Sequence, residues 1–177
     1  MIRRAHRWVE IISRAQEVIM NADPLINLHM AFTNTGYVYD TGQQHNGRKV
    51  VLTYDKNIGE NIHVSGAGKM LMHDGSIVYC VVVDTNFMLL PKEEQLVMFY
   101  HELGHIVNGH LDKPFKMTIN KIARLLGLGT MEFEADKYAA RKTSIDKVIV
   151  TLKHVANTIP FISQKDVQSR IKRLRKA

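Results

Sequence analysis

Two histidines and a glutamate near the middle of the chain have the spacing of a metal site. The run His101-Glu102-Leu103-Gly104-His105 places the histidines four residues apart. In a helix of 3.6 residues per turn, both imidazoles would lie on one face and could bind the same ion. Zinc favours imidazole nitrogen and keeps one position open in catalytic sites. Glu102, offset around the helix, could then act as general base toward a water on the metal.

A zinc site needs a third protein ligand, and a carboxylate on a second helix is the best candidate. Glu132 completes a set of two histidines and one glutamate. Glu134 lies about 200° from Glu132 around that helix, so only one of them can face the metal. His110 points about 140° away from His105 on the first helix, and we expect it to be a polar residue at the helix end.

Two further roles remain to be filled near such a metal. Asp136 lies one turn after Glu132 on the same face, so it could accept a hydrogen bond from the free nitrogen of a ligating histidine. The group that stabilises an oxyanion is left open. The candidates for it are His154, Tyr138 and Arg170.

The first half of the chain predicts one helix and then a small sheet. Apolar periodicity indicates a helix over 3–20, and the turn residues 21–24, which include Pro24, end it. Two dipeptides, Asn46-Gly47 and Asp74-Gly75, are typical of hairpin turns because they tolerate positive φ. The predicted strands are Leu25–Thr33, Tyr37–Tyr39, Lys49–Tyr54 and Ile77–Asp84.

From Pro91 onward the pattern is helical. Pro91 suits a first helical position, and the active-site helix should run to about Gly109. Further helices are predicted over about 115–126, 130–141, 145–157 and 165–176. This order predicts an α+β fold, with a helix, then a small mostly antiparallel sheet and then a helical part. Residues 1–177 are predicted to form a single domain.

Composition and charge narrow the class of protein. With 45% hydrophobic residues, no apolar run near the roughly 20 residues of a membrane span and no secretory signal, we expect a cytoplasmic globular protein. We predict that the single cysteine, Cys80, is a small residue of the core. The net charge of +7 is concentrated at the two ends of the chain. No aromatic residues interleave the terminal basic cluster, so a nucleic-acid contact is the less favoured interpretation.

In combination, these motifs resemble the gluzincin metallopeptidases. The chain looks most like the branch that contains the HtpX heat-shock protease and the prenyl-protein (CAAX) endopeptidase. That branch has His-Glu-x-x-His followed by Val-Asn-x-His, as in residues 101–110, and a later Glu-x-x-Ala-Asp, as in 132–136. Its closing Arg-Ile-x-x-Leu helix is similar to Arg170–Leu174. The lead-in from strand to helix also resembles the compact ImmA/IrrE branch. The resemblance covers about residues 80–177 and implies a minimal zincin-like fold with Glu132 as the third zinc ligand.

The chain departs from that branch in two ways. A His-Pro pair that these proteins often carry shortly before the arginine is replaced here by Gln164 and Lys165. The membrane members of the branch have spanning helices, and none is predicted here. The first 75 residues match no pattern of the family, so the substrate is not predicted from the resemblance.

The leading functional prediction is a zinc-dependent peptidase that hydrolyses peptide bonds in protein substrates. One alternative is a non-catalytic zincin-fold protein with a regulatory or structural role. Another is a protease associated with nucleic acid through its basic termini. The presence of Glu102 favours catalysis, because a purely structural zinc needs no general base.

A sheet edge beside the active helix could bind an extended peptide through main-chain hydrogen bonds. The apolar run Ile77–Val83 predicts a strand inside the sheet, whereas Lys69–His73 is short and partly polar, as an exposed edge would be. We therefore predict that Lys69–His73 forms the upper rim of the cleft. Met70 and Met72 would give that rim an adaptable apolar lip.

Overall fold

The computed structural model describes residues 29–33, 36–54, 65–112, 129–159 and 162–177. Within these ranges a small sheet precedes the main helices, so the predicted α+β class is confirmed. The predicted helix over 3–20, its stop at 21–24 and the helix over 115–126 lie outside the described residues.

The described strands form one mixed, mostly antiparallel sheet. Its order is β1-β2-β3-β5-β4, and only the β3–β5 pair is parallel. The predicted hairpin turns are both present, at Asn46-Gly47 between β2 and β3 and at Asp74-Gly75 between β4 and β5. The strand bounds are β1 His29–Thr33, β2 Gly36–His45, β3 Arg48–Tyr54, β4 Ser65–Leu71 and β5 Ile77–Val83.

The second strand is longer than its apolar stretch predicts. β2 continues through polar residues to His45, with an irregularity in its pairing to β3 between Asp40 and Gln44. Thr41 is fully buried there, and its hydroxyl donates to the Val50 carbonyl oxygen at 2.6 Å. Pairing with β3 therefore keeps this polar segment extended, which side-chain hydrophobicity alone could not indicate.

Helices occupy most of the chain after the sheet. Their bounds are α1 Thr85–Leu89, α2 Lys92–Val107, α3 Thr130–Lys142, α4 Ile145–Thr158 and α5 Gln164–Leu174, with a 3₁₀ turn at His110–Asp112. The short α1 was not predicted: Asp84, expected to end a strand, caps α1 by accepting from the Phe87 N–H at 2.9 Å. α2 begins one residue after Pro91 instead of with it. Each helix in the described ranges is too short or too polar to cross a membrane.

The two faces of the sheet carry different apolar clusters. Leu52, Val81 and Val83 pack with side chains of α2 such as Phe99 and Ile106 in the larger core. The opposite face carries a smaller cluster of Val38, Val51, Val78 and Cys80, with Met70, Met72 and Val82 against it. Cys80 is thus a buried core residue, as predicted. Alternation along each strand produces this division of the side chains.

The position of β4 confirms one part of the substrate-rim prediction and contradicts another. Among the described strands β4 is the last in the sheet order and β5 lies inside, so Lys69–Leu71 belongs to an edge strand as predicted. Met70 and Met72, however, pack on the face opposite to the helices. The predicted methionine lip is therefore wrong, because strand alternation turns these two side chains away from the helix that carries His101.

Candidate metal centre

A glycine allows the two helices of the site to approach closely. A Cβ atom placed on Gly104 of α2 would lie 2.9 Å from the Cα of Ala135 and 3.0 Å from the Cβ of Tyr138, both in α3. Contacts this short do not occur between ordinary side chains, so this position needs a glycine. The close approach places His101 and His105 of α2 opposite Glu132 of α3.

The three predicted ligands converge on one point. The Nε2 atoms of His101 and His105 are 3.2 Å apart. The Glu132 carboxylate lies 3.4 Å from the first nitrogen through Oε2 and 3.9 Å from the second through Oε1. Ligands about 2.0–2.1 Å from a tetrahedral zinc would be separated by roughly 3.3–3.4 Å. The donor set and its spacing therefore fit zinc.

His101 is oriented by a buried ion pair. Its Nδ1 lies 2.9 Å from Oδ1 of Asp136, the hydrogen bond expected for a ligating histidine. Arg170 of α5 donates to both oxygens of that carboxylate, at 2.7 and 2.6 Å. Since Asp136 only accepts, the Nδ1 of His101 is the donor, which leaves Nε2 to face the other ligands.

His110 and Glu134 lie behind His105 and not among the ligands. The Nδ1 atoms of His105 and His110 are 2.8 Å apart, and Nε2 of His110 lies 2.9 Å from Oε2 of Glu134. His110 follows the end of α2 and is not among the ligands, as we expected, but it is buried, with 3% exposure. A turn with φ +66° at Gly109 brings it back toward α2.

The charges around the ligands favour a cation. Burial lowers the pKa of His101, but hydrogen bonds with Asp136 and Glu132 outweigh it and raise the pKa to about 10. Burial and the neighbouring charge of His101 lower the pKa of His105 to about 3. Burial raises the pKa of Glu132, yet His101 and Arg170 bring it well below its ordinary value. These shifts favour a positive charge on His101 beside an ionised Glu132, and a metal ion would take the place of that charge.

Glu102 is buried beside the ligands, and it accepts a hydrogen bond from Ser65, which the sequence analysis did not identify. Its Oε1 accepts a hydrogen bond from the Ser65 hydroxyl, on β4, at 2.8 Å. Burial raises the pKa of Glu102, although the charge of His101 and the Ser65 hydrogen bond oppose the shift. A carboxylate with a raised pKa takes up a proton more readily, as a general base must.

The three oxyanion candidates have different surroundings. Arg170 is buried, and its Nη1 lies 3.6 Å from Oε2 of Glu132, so it contacts the cluster. Tyr138 packs beside Gly104, and burial raises its pKa. His154 pairs instead with Glu94, 2.6 Å from its Nδ1. These contacts assign the oxyanion role to none of the three.

No protein-family model, curated protein or solved structure matches this chain.

Proposed function

We propose that this chain is a zinc-dependent peptidase of the gluzincin type, acting on peptide bonds in protein substrates. The observation that carries the proposal is the convergence of His101, His105 and Glu132, whose ligand atoms all lie within 4.8 Å of one another. Two imidazoles and one glutamate are a recurring ligand set of catalytic zinc in peptidases.

Zinc, when bound, would supply Lewis-acid polarisation of the scissile carbonyl and favour ionisation of water. The proton transfers belong to the protein. Glu102 accepts a proton from the attacking water as the new C–O bond forms at the carbonyl carbon. The same carboxyl group then gives that proton to the leaving amine as the C–N bond breaks. Ser65 orients the Glu102 carboxylate through the 2.8 Å hydrogen bond.

The edge strand β4 supplies a surface for the substrate backbone. Its first residue, Ser65, contacts Glu102, so the strand starts beside the proposed base. Within the described residues, β4 pairs on one side only, with β5. An extended peptide could add to the free side by main-chain hydrogen bonds. Such binding would give weak selectivity for substrate side chains, since the backbone makes most of the contacts.

The glutamine variant of Glu102 tests the proposal. Glu102→Gln keeps the size of the side chain and an acceptor for Ser65, yet cannot take up a proton. We expect wild-type protein to carry one zinc per chain and to cleave casein or a peptide library. The variant should keep its zinc and lose hydrolysis by at least about 100-fold. Metal analysis and cleavage assays, with and without chelator, measure both quantities.

A non-catalytic zinc protein is the principal alternative, and the same experiment separates the two. It would bind zinc in both forms and cleave no substrate in either. The buried hydrogen bond between Ser65 and Glu102 favours catalysis, because a structural zinc has no use for an oriented carboxylate outside its ligand set. Near-normal turnover by Glu102→Gln would contradict the role of Glu102 as the base.

A further inference from the structure

A chain of three side chains leads from the ligand cluster to the protein surface. It begins at His105, passes through the contact between the Nδ1 atoms of His105 and His110, and ends at Glu134. His110 is buried, whereas the Glu134 side chain is 52% exposed. Both ring nitrogens of His110 have a partner, and Glu134 is the most exposed of the three side chains.

The hydrogen bonds in this chain determine which nitrogen carries each proton. An ionised glutamate can only accept, so His110 donates to Glu134 through Nε2. An imidazole that carries its one proton on Nε2 accepts through Nδ1. Nδ1 of His105 is therefore the donor across the 2.8 Å contact, and Nε2 of His105 keeps its lone pair.

We propose that His110 and Glu134 are positioning residues for the metal site. They hold His105 in the tautomer whose Nε2 lone pair faces His101 and Glu132. The proposal deepens the proposed function and rests on it for the identity of the metal. The hydrogen bonds that favour this tautomer are made by protein groups alone, so they do not require the ion.

The second ligating histidine has an equivalent support, which strengthens the inference. His101 is oriented by Asp136 and Arg170, and His105 by His110 and Glu134. In both cases a carboxylate is the final acceptor, Asp136 directly for His101 and Glu134 through His110 for His105, so both Nε2 atoms face the same point. Partners of this kind raise the basicity of a ligand and reduce the freedom of its ring.

Two isosteric variants of His110 separate its acceptor from its donor. In His110→Asn the amide oxygen takes the position of Nδ1 and can still accept from His105. In His110→Gln the amide takes the position of Nε2 and can reach Glu134, but the acceptor for His105 is lost. We expect zinc affinity, measured by chelator competition, to fall about 10- to 100-fold in His110→Gln and to stay near wild type in His110→Asn.

Two further variants complete the set. Glu134→Ala removes a half-exposed side chain, so it tests the chain of hydrogen bonds at little risk to folding, and it should also weaken zinc binding. His154→Ala removes a histidine–glutamate pair between α4 and α2 that lies outside the hydrogen bonds of the ligands, and it should bind zinc as wild type does. Thermal unfolding of the metal-free variants shows whether any loss of affinity reflects a loss of fold.

Imidazole ¹⁵N NMR of the metal-free protein tests the tautomers directly. We expect the proton of His105 on Nδ1 and that of His110 on Nε2. The opposite tautomers, or equal zinc affinity in His110→Gln and His110→Asn, would overturn the proposal while leaving the peptidase function standing. If wild-type protein binds no zinc but shows the expected tautomers, the proposed function fails and the positioning of His105 stands.

Discussion

His101 contacts two carboxylates at once. Its Nδ1 lies 2.9 Å from Asp136 and its Nε2 lies 3.4 Å from Glu132, and its side chain is almost fully buried. Burial alone would keep the imidazole neutral, but these two partners stabilise its charged form. A metal ion bound at Nε2 must therefore displace a proton that the protein itself holds.

Zinc binding should consequently release protons. Because the pKa of His101 in the metal-free protein is about 10, this side chain is charged at pH 7 and must lose its proton to bind zinc. Apparent zinc affinity should rise about tenfold per pH unit between pH 7 and 9 and fall toward acid pH. Calorimetry in buffers of different ionisation enthalpy should detect at least about one proton released per zinc. An affinity that does not change with pH over this range would contradict the assigned charge of His101.

At the scale of elements, the contact between α2 and α3 determines the site. The ligands come from both helices, so their separation depends on how closely the two backbones approach at Gly104 and Ala135. A bulkier contact would move Glu132 away from the histidines along with its helix. The glycine inside the histidine motif therefore has a structural role distinct from that of its neighbours.

Gly104→Ala should destabilise the protein and weaken zinc binding together. The new methyl group would lie 2.9 Å from the Ala135 Cα, so the helices must separate, at a cost of about 1–3 kcal/mol. Denaturant unfolding measures the loss of stability, and chelator competition measures the loss of zinc affinity. Gly66→Ala is a matched control, since a Cβ there meets nothing within 4 Å. Equal stability of the two variants would show that the close approach is not limiting.

At the scale of the whole molecule, four elements meet at the proposed metal site. α2 and α3 provide the ligands, β4 provides Ser65 for Glu102, and α5 provides Arg170 for Asp136. These segments are far apart in the sequence, so a bound ion would link parts of the fold that separate on unfolding. Zinc should therefore act on global stability as well as on the proposed hydrolysis.

Zinc should raise the melting temperature of the wild-type protein. At a free zinc concentration 100 times the Kd, binding to the folded state alone stabilises it by about 2.7 kcal/mol, which corresponds to about 5–10 °C for a chain of this size. Calorimetric scans with zinc and with chelator measure the shift. His101→Ala, which loses a ligand, should show no shift and no stoichiometric zinc. Full zinc occupancy in that variant would refute the ligand assignment.

The predictions from sequence succeeded where structure is local. Two histidines four residues apart share a helical face wherever that helix lies, and Asn46-Gly47 favours a tight turn in any sheet. The last three helices were predicted to within one or two residues. Their capping residues, such as Ser144 and Ser163, are short-range signals as well. The short α1 was not predicted because its N-cap, Asp84, directly follows the apolar residues of β5 and was therefore assigned to that strand.

By itself, the sequence determined the motif, the α+β class and the edge position of β4, because these follow from spacing, turn residues and hydrophobic pattern. Only the tertiary structure decided which side chains stand behind the ligands. Ser65 meets Glu102 across 37 positions of sequence, and His110 meets Glu134 across 24. The tertiary structure also decided that Met70 faces away from the helices. Such contacts depend on how helices and sheet pack on one another, and packing is a property of surfaces brought together, which local periodicity does not encode.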